Sequence, residues 1–323
     1  MPEMRMIDVG EVQLRCAIEV PENGPGDLVI LVHGFPESWY SWRHQLGPLA
    51  DAGYTACAID VRGYGGSEKP HAVEAYALER IVGDLVGLKM ALQPDRPAVL
   101  VGHDWGAPIV WNTALTNPQH FHAVAGMAVP FAGIPSRPFT EVFHQHFTSR
   151  GQFFYQEYFQ EPGVAEAEAE KDPRDWVERM MYSLSGDVPP GDYYNKPYGA
   201  TFLEGLPDPK PMPWLGEADL DFYESEFRQS GFRGPLNRYR NHTADFEWLQ
   251  EWKGQQIEQP ALFIGGTRDP ATFLFGAISD PIALMKMSAP KVEGHILENV
   301  GHWTQQESPE EVNRLLLDWL KRL

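Results

Sequence analysis

Short apolar runs alternate with amphipathic stretches through the first 130 residues. Leu28-Val29-Ile30-Leu31-Val32 and Thr55-Ala56-Cys57-Ala58-Ile59 are continuous apolar runs, the pattern of strands covered on both faces. Ala98 to Val101, Ala123 to Val129 and Pro260 to Gly266 share that character. Tyr76 to Leu92 places Leu78, Ile81, Val82, Leu85, Leu88 and Leu92 on one helical face, and another helix-like stretch begins near Ala107. Pro309 to Leu323 carries a stripe of Val312, Leu315, Leu316 and Trp319. Strands separated by helices predict an α/β architecture, a mostly parallel sheet flanked by helices.

The pattern breaks between residues 131 and 245. Strand-like runs vanish there, and aromatics, prolines and glycines alternate with short helical patterns. Residues 1–130 and 246–323 are therefore expected to form one core, with 131–245 as an inserted helical cap. Glu166-Ala167-Glu168-Ala169-Glu170 predicts a helix with a solvated acidic face, not a metal site.

Composition narrows the function. The 323 residues suffice for an α/β core plus one insertion. A net charge of −19 argues against nucleic acid or an anionic membrane as partner. No run of about 18 apolar residues predicts a membrane span. The first twenty residues are broken by Glu3, Arg5, Asp8, Glu11, Arg15 and Glu19, unlike a signal peptide. The two cysteines, Cys16 and Cys57, have neither metal-site nor disulfide-framework spacing, so a reduced, cytoplasmic setting is expected. No cofactor or metal is implied, and a homodimer is left open.

The chemistry centres on Gly102-His103-Asp104-Trp105-Gly106. It follows a strand-like run and precedes a helix, the setting of a nucleophile elbow, where the middle residue is usually Ser. Here it is Asp104. A serine attacking a saturated carbon would form an ether that water cannot readily cleave. A carboxylate forms an ester, which activated water can hydrolyse to restore the enzyme. His33-Gly34-Phe35-Pro36 ends the first apolar strand, where such a fold places one oxyanion donor; the amides of Phe35 and Trp105 are the expected pair. Phe35, Pro36 and Trp105 are also expected to line the substrate pocket.

His302, in Gly301-His302-Trp303-Thr304-Gln305, falls where the chain order nucleophile, acid, histidine requires the general base. Asp269 follows the strand ending at Gly266 and is the candidate to orient it. No Asp or Glu lies between Ala123 and Arg137 to compete. His295, inside an expected strand, reads as packing. His103 flanks the elbow and is expected to point away from the site. Asp60 is expected to brace the Arg62-Gly63-Tyr64-Gly65 turn.

Together these segments, with Arg62-Gly63-Tyr64-Gly65-Gly66-Ser67, resemble the soluble-type epoxide hydrolases of the α/β-hydrolase fold. The resemblance extends into the cap. Tyr155-Gln156-Glu157-Tyr158-Phe159-Gln160-Glu161-Pro162-Gly163 and Pro235-Leu236-Asn237-Arg238-Tyr239-Arg240-Asn241 look like that family's two tyrosine segments. It implies Tyr155 and Tyr239 as donors to the epoxide oxygen, a small apolar epoxide as substrate and a vicinal diol as product. Ring opening releases an alkoxide that a phenol of pKa about 10 protonates downhill.

Haloalkane dehalogenase is the alternative with the same nucleophile; that family usually has Asn where Phe35 stands, and a leaving halide needs no proton. Fluoroacetate dehalogenases use an arginine near the nucleophile, where Trp105 sits. A serine esterase lacks its nucleophile here. A non-catalytic binding protein would be expected to have lost a triad member.

Overall fold

The computed structural model describes residues 2–189, 191 and 193–323. Eight strands form one sheet: β1 (Glu3–Asp8), β2 (Gln13–Glu19), β3 (Asp27–Val32), β4 (Tyr54–Ile59), β5 (Ala98–His103), β6 (Phe121–Met127), β7 (Ala261–Gly266) and β8 (Val292–Leu297). Their order is β1-β2-β4-β3-β5-β6-β7-β8. β1 and β2 are antiparallel to each other, and β2 is antiparallel to β4; the remaining neighbours are parallel. The apolar runs became strands with small shifts. The expected 123–129 strand starts two residues earlier and ends at Met127.

Thirteen α-helices accompany the sheet among the described residues. Those of the first core segment are α1 (Arg43–Asp51), α2 (Leu78–Leu92) and α3 (Gly106–Thr116). Between β6 and β7 lie α4 (Phe139–His146), α5 (Tyr155–Tyr158), α6 (Val164–Ala169), α7 (Pro173–Leu184), α8 (Glu217–Ser230), α9 (Arg233–Tyr239) and α10 (His242–Leu249). The last segment adds α11 (Pro281–Lys286), α12 (Thr304–Glu307) and α13 (Pro309–Leu320).

Strand alternation divides the core. Val29 and Leu31 face the layer containing Leu46, Leu49, Leu315, Leu316 and Trp319 of α1 and α13. Leu28, Ile30 and Val32 face the layer of Ile81, Leu85, Leu88 and Ile109 from α2 and α3. Central parallel strands apolar on both faces are thus covered twice.

The expected boundary at 245 falls inside α10. Asp245 accepts the Leu78 N–H at 2.7 Å, satisfying one free amide at the start of core helix α2. Three sequence expectations are corrected here. Glu166 is buried and paired with Arg240, so the acidic face of α6 is turned inward at that position. The run alternates every second residue, whereas a helix repeats every 3.6, so Glu166, Glu168 and Glu170 face different ways. His295 is not packed in the core: it lies on the edge strand β8, a third exposed, with Nε2 3.0 Å from Glu293. His103 does not point clear of the site, as shown below.

Candidate active site

Asp104 sits in the turn between β5 and α3 with φ 50°. Few non-glycine residues occupy this left-handed region, and the strain exposes the side chain at the strand's end. The flanking glycines make the turn possible. A Cβ on Gly106 would stand 2.0 Å from the Val32 carbonyl oxygen, and one on Gly34 would stand 2.3 Å from the Asp104 Cβ. The start of α3 lies directly behind the carboxylate and favours its ionised form.

Three loops bring polar groups to this point. The Phe35 N–H, after β3, donates to Asp104 Oδ1 at 2.8 Å. His302, in the loop before α12, places Nε2 3.3 Å from Asp104 Oδ2 and Nδ1 3.0 Å from Asp269 Oδ1. Asp269, after β7, is itself held: Oδ1 accepts the Ala271 N–H at 2.9 Å and Oδ2 the Thr272 hydroxyl at 2.9 Å. Asp104, His302 and Asp269 therefore touch in series. The Phe35–Pro36 peptide is cis.

Charge follows geometry. Burial works against ionising Asp104, but His302, His103 and the Phe35 amide outweigh it, and the carboxyl is held below its ordinary value. Burial likewise opposes a charged His302. The adjoining Asp269 and Asp104 carboxylates reverse that effect and raise its pKa well above the usual imidazole value.

The phenols come from the helices between β6 and β7. Tyr155 opens α5 and Tyr239 closes α9, with ring centroids 6.2 Å apart. Tyr239 also meets Trp105 edge-on at 5.1 Å and Phe35 at 5.6 Å. Burial, then the Asp104 charge, raises both phenol pKa values, so both keep their protons at neutral pH.

A cavity of about 690 Å³ opens beside Tyr155 and Asp269. Phe147, Phe153, Phe154, Tyr194, Phe273 and Phe275 contribute much of its wall. Phe35, Pro36 and Trp105, expected as pocket residues, are not among its lining; Phe35 is instead buried in a ring cluster with Phe159, Trp176, Phe232 and Tyr239.

Residues 27–309 match the family model for the alpha/beta hydrolase fold. The chain is 43% identical to epoxide hydrolase A of Mycobacterium tuberculosis, covering 100% of this chain and 98% of the relative. It is 39% identical to epoxide hydrolase B of the same organism, over 98% and 97%. Among solved structures, an epoxide hydrolase from an endophytic Streptomyces superposes with a TM-score of 0.93 at 44% identity, covering 99% and 95% of the two chains. The chain belongs to the epoxide hydrolases of the α/β-hydrolase fold. The dehalogenase alternative is not favoured.

Around this epoxide hydrolase's site, Glu37 and Glu307 carried no assignment from sequence, and His103 was expected to point away. His103 is fully buried; its Nδ1 lies 2.8 Å from Glu37 and its Nε2 2.8 Å from the His302 carbonyl oxygen. Its ring centroid is 5.1 Å from that of His302. Glu37 further accepts from Gly34 N–H and from the amides of Gln305 and Gln306. Glu307 accepts the N–H groups of Gly186, Gly301 and Trp303, joining the segment after α7 to the His302 loop. The only local signal for either glutamate was its closeness in sequence to a recognised motif. Asp60, by contrast, acts as expected: it accepts the Gly66 N–H at 3.0 Å and so holds the Arg62 turn.

Proposed function

We propose that Asp104 attacks an epoxide carbon while the Tyr155 and Tyr239 hydroxyls donate to the ring oxygen. The C–O bond breaks, Asp104 becomes an ester, and a phenol protonates the leaving oxygen. His302, oriented by Asp269, then takes a proton from water that attacks the ester carbonyl, releasing the diol and Asp104. The Phe35 and Trp105 amides hold the oxyanion. The 2.8 Å bond from Phe35 N–H to Asp104 Oδ1 carries this reading, because that oxygen becomes the ester carbonyl oxygen if Oδ2 attacks. The residues present call for no metal or cofactor in either step.

Esterification also prepares the base. It removes one of the two carboxylate charges that hold the proton on His302, so the imidazole becomes easier to deprotonate when it is needed. The released proton restores the tyrosine through solvent.

Residues 131–245 act as the cap that carries the phenols over the sheet. The aromatic wall of the cavity suits a small apolar epoxide. The net charge of −19 disfavours nucleic-acid partners, and both cysteines are free and buried, in keeping with a cytoplasmic setting. Among the described residues no helix is long and apolar enough to cross a membrane.

The test is intact mass of His302→Gln after exposure to styrene oxide or, separately, to a 1-bromoalkane. A single epoxide-sized adduct, lost when Asp104→Asn is added, is expected. Adduct from the bromide alone would reverse the choice of reaction.

A further inference from the structure

The two phenols sit on separate short helices, yet general acid help to one oxygen requires them to hold a fixed relative geometry. Neither helix supplies that alone: α5 has four residues and α9 has seven. The connection lies in side chains next to the tyrosines. Arg240, immediately after Tyr239, has a guanidinium that is 4% exposed. Its Nη1 and Nη2 grip the Glu166 carboxylate at 2.7 and 3.0 Å. Its Nε donates to the Phe159 carbonyl oxygen at 3.0 Å, while the remaining protons reach Asn237 Oδ1 at 2.7 Å and the Glu161 carbonyl at 3.4 Å. All five donors of the fork are thus used. The Phe159 N–H in turn closes the Tyr155 turn by donating to the Tyr155 carbonyl at 3.0 Å.

A second link runs the opposite way. Gln160 Nε2 donates to the Tyr239 carbonyl oxygen at 2.8 Å and to the Gln156 carbonyl at 2.7 Å. Gln160 thus secures the Tyr239 backbone directly, and Arg240 reaches the Tyr155 backbone through Phe159. Glu166 also accepts the Gly163 N–H at 2.9 Å, fixing the loop that follows Gln160.

We propose that Arg240 and Gln160, with Glu166 as the counter-charge, are positioning residues that hold Tyr155 and Tyr239 as one acid pair. This rests on the acid role proposed above for the tyrosines. Arg240 touches no reacting atom; its effect passes through the placement of two hydroxyls. A planar fork with five directed donors can define that placement, whereas a lysine, with a single point of charge, cannot.

The test is a double-mutant cycle read by step. Rapid quench and intact mass give the rate of ester formation from styrene oxide; decay of the accumulated adduct gives its hydrolysis. Arg240→Lys is expected to slow ester formation about 10- to 100-fold, the scale of a small misplacement at a reacting centre. Hydrolysis should stay within about 2-fold. In a Tyr155→Phe, Tyr239→Phe background the same change should cost less than about 2-fold, because residues acting through one another are not additive. Gln160→Met leaves the ion pair intact and serves if Arg240→Lys fails to fold; it should slow ester formation about 3- to 10-fold with the same loss of effect in the double-Phe background. A purely structural role would slow both steps together, or cost the same with and without the phenols, and would overturn the proposal. If the double-Phe variant by itself left ester formation unchanged, the acid assignment would fall, and this proposal with it.

Discussion

The two halves of the site are held by different means. Asp104, Phe35, Asp269 and His302 stand at the ends of neighbouring strands or in the loops beyond them, so sheet register places them. Tyr155 and Tyr239 stand on short helices tied by Arg240, Gln160 and Glu166, so buried side-chain hydrogen bonds place them. The difference suggests a division of labour. In the proposed mechanism the first half makes and hydrolyses the ester, and the clamped half delivers a proton to a variable substrate.

The division can be broken most severely at Asp104, the proposed nucleophile. Asp104→Asn should lower turnover by roughly 10⁴-fold or more, as loss of a covalent nucleophile does, with the fold intact by circular dichroism. Tyr155→Phe combined with Tyr239→Phe should lower ester formation by about 10²–10⁴-fold, the usual worth of general acid help, without slowing hydrolysis of an ester already made. Rapid-quench measurements separate the two. Gly34→Ala pushes a methyl to within 2.3 Å of the Asp104 Cβ, so the nucleophile must move; kcat should fall by about 10²-fold while the phenols are untouched.

Smaller effects sharpen the same contrast. Ester formation needs Asp104 ionised and the phenols protonated. The first is held below the ordinary carboxyl value and the second above the ordinary phenol value, so the rate should be flat from about pH 5 to 9. Hydrolysis needs neutral His302 and should rise with pH to a plateau. Stopped-flow pH profiles of each step read this directly. For folding, the raised His302 value means stabilisation that is full below about pH 6.5 and lost as pH rises through the folded-state value. His302→Gln should flatten that part of the stability curve. Glu307→Gln replaces one of the two carboxylate oxygens that together accept three backbone N–H groups, so at least one of those donors loses its acceptor and faces an NH2, which should cost about 1–3 kcal/mol in urea unfolding.

The halves also differ in how openly the sequence displayed them. Val29, Leu31, Leu100 and Val101 announce strands by composition, and a strand's end tells where the next side chain stands. Asp104, Asp269 and His302 could thus be located from chain order, and the structure brings them together. Tyr155 and Tyr239 could be singled out from the other cap tyrosines only by family resemblance. Nothing local in Gln160, Glu166 or Arg240 shows that they meet, since Glu166 and Arg240 are 74 residues apart and the apparent acidic face on α6 suggested solvent instead. The surroundings of His103 were misjudged for a related reason. Its adjacency to Asp104 was legible, but its two partners, Glu37 and the His302 carbonyl, come from distant loops.

The decisive measurement compares step rates in one series: the double Tyr→Phe variant and Asp269→Asn, each assayed for ester formation and ester hydrolysis with styrene oxide. The division of labour requires the tyrosine variant to lose ester formation alone and Asp269→Asn to lose chiefly hydrolysis, leaving adduct to accumulate. Equal losses in both steps for the tyrosine variant, or loss of ester formation alone for Asp269→Asn, would contradict it.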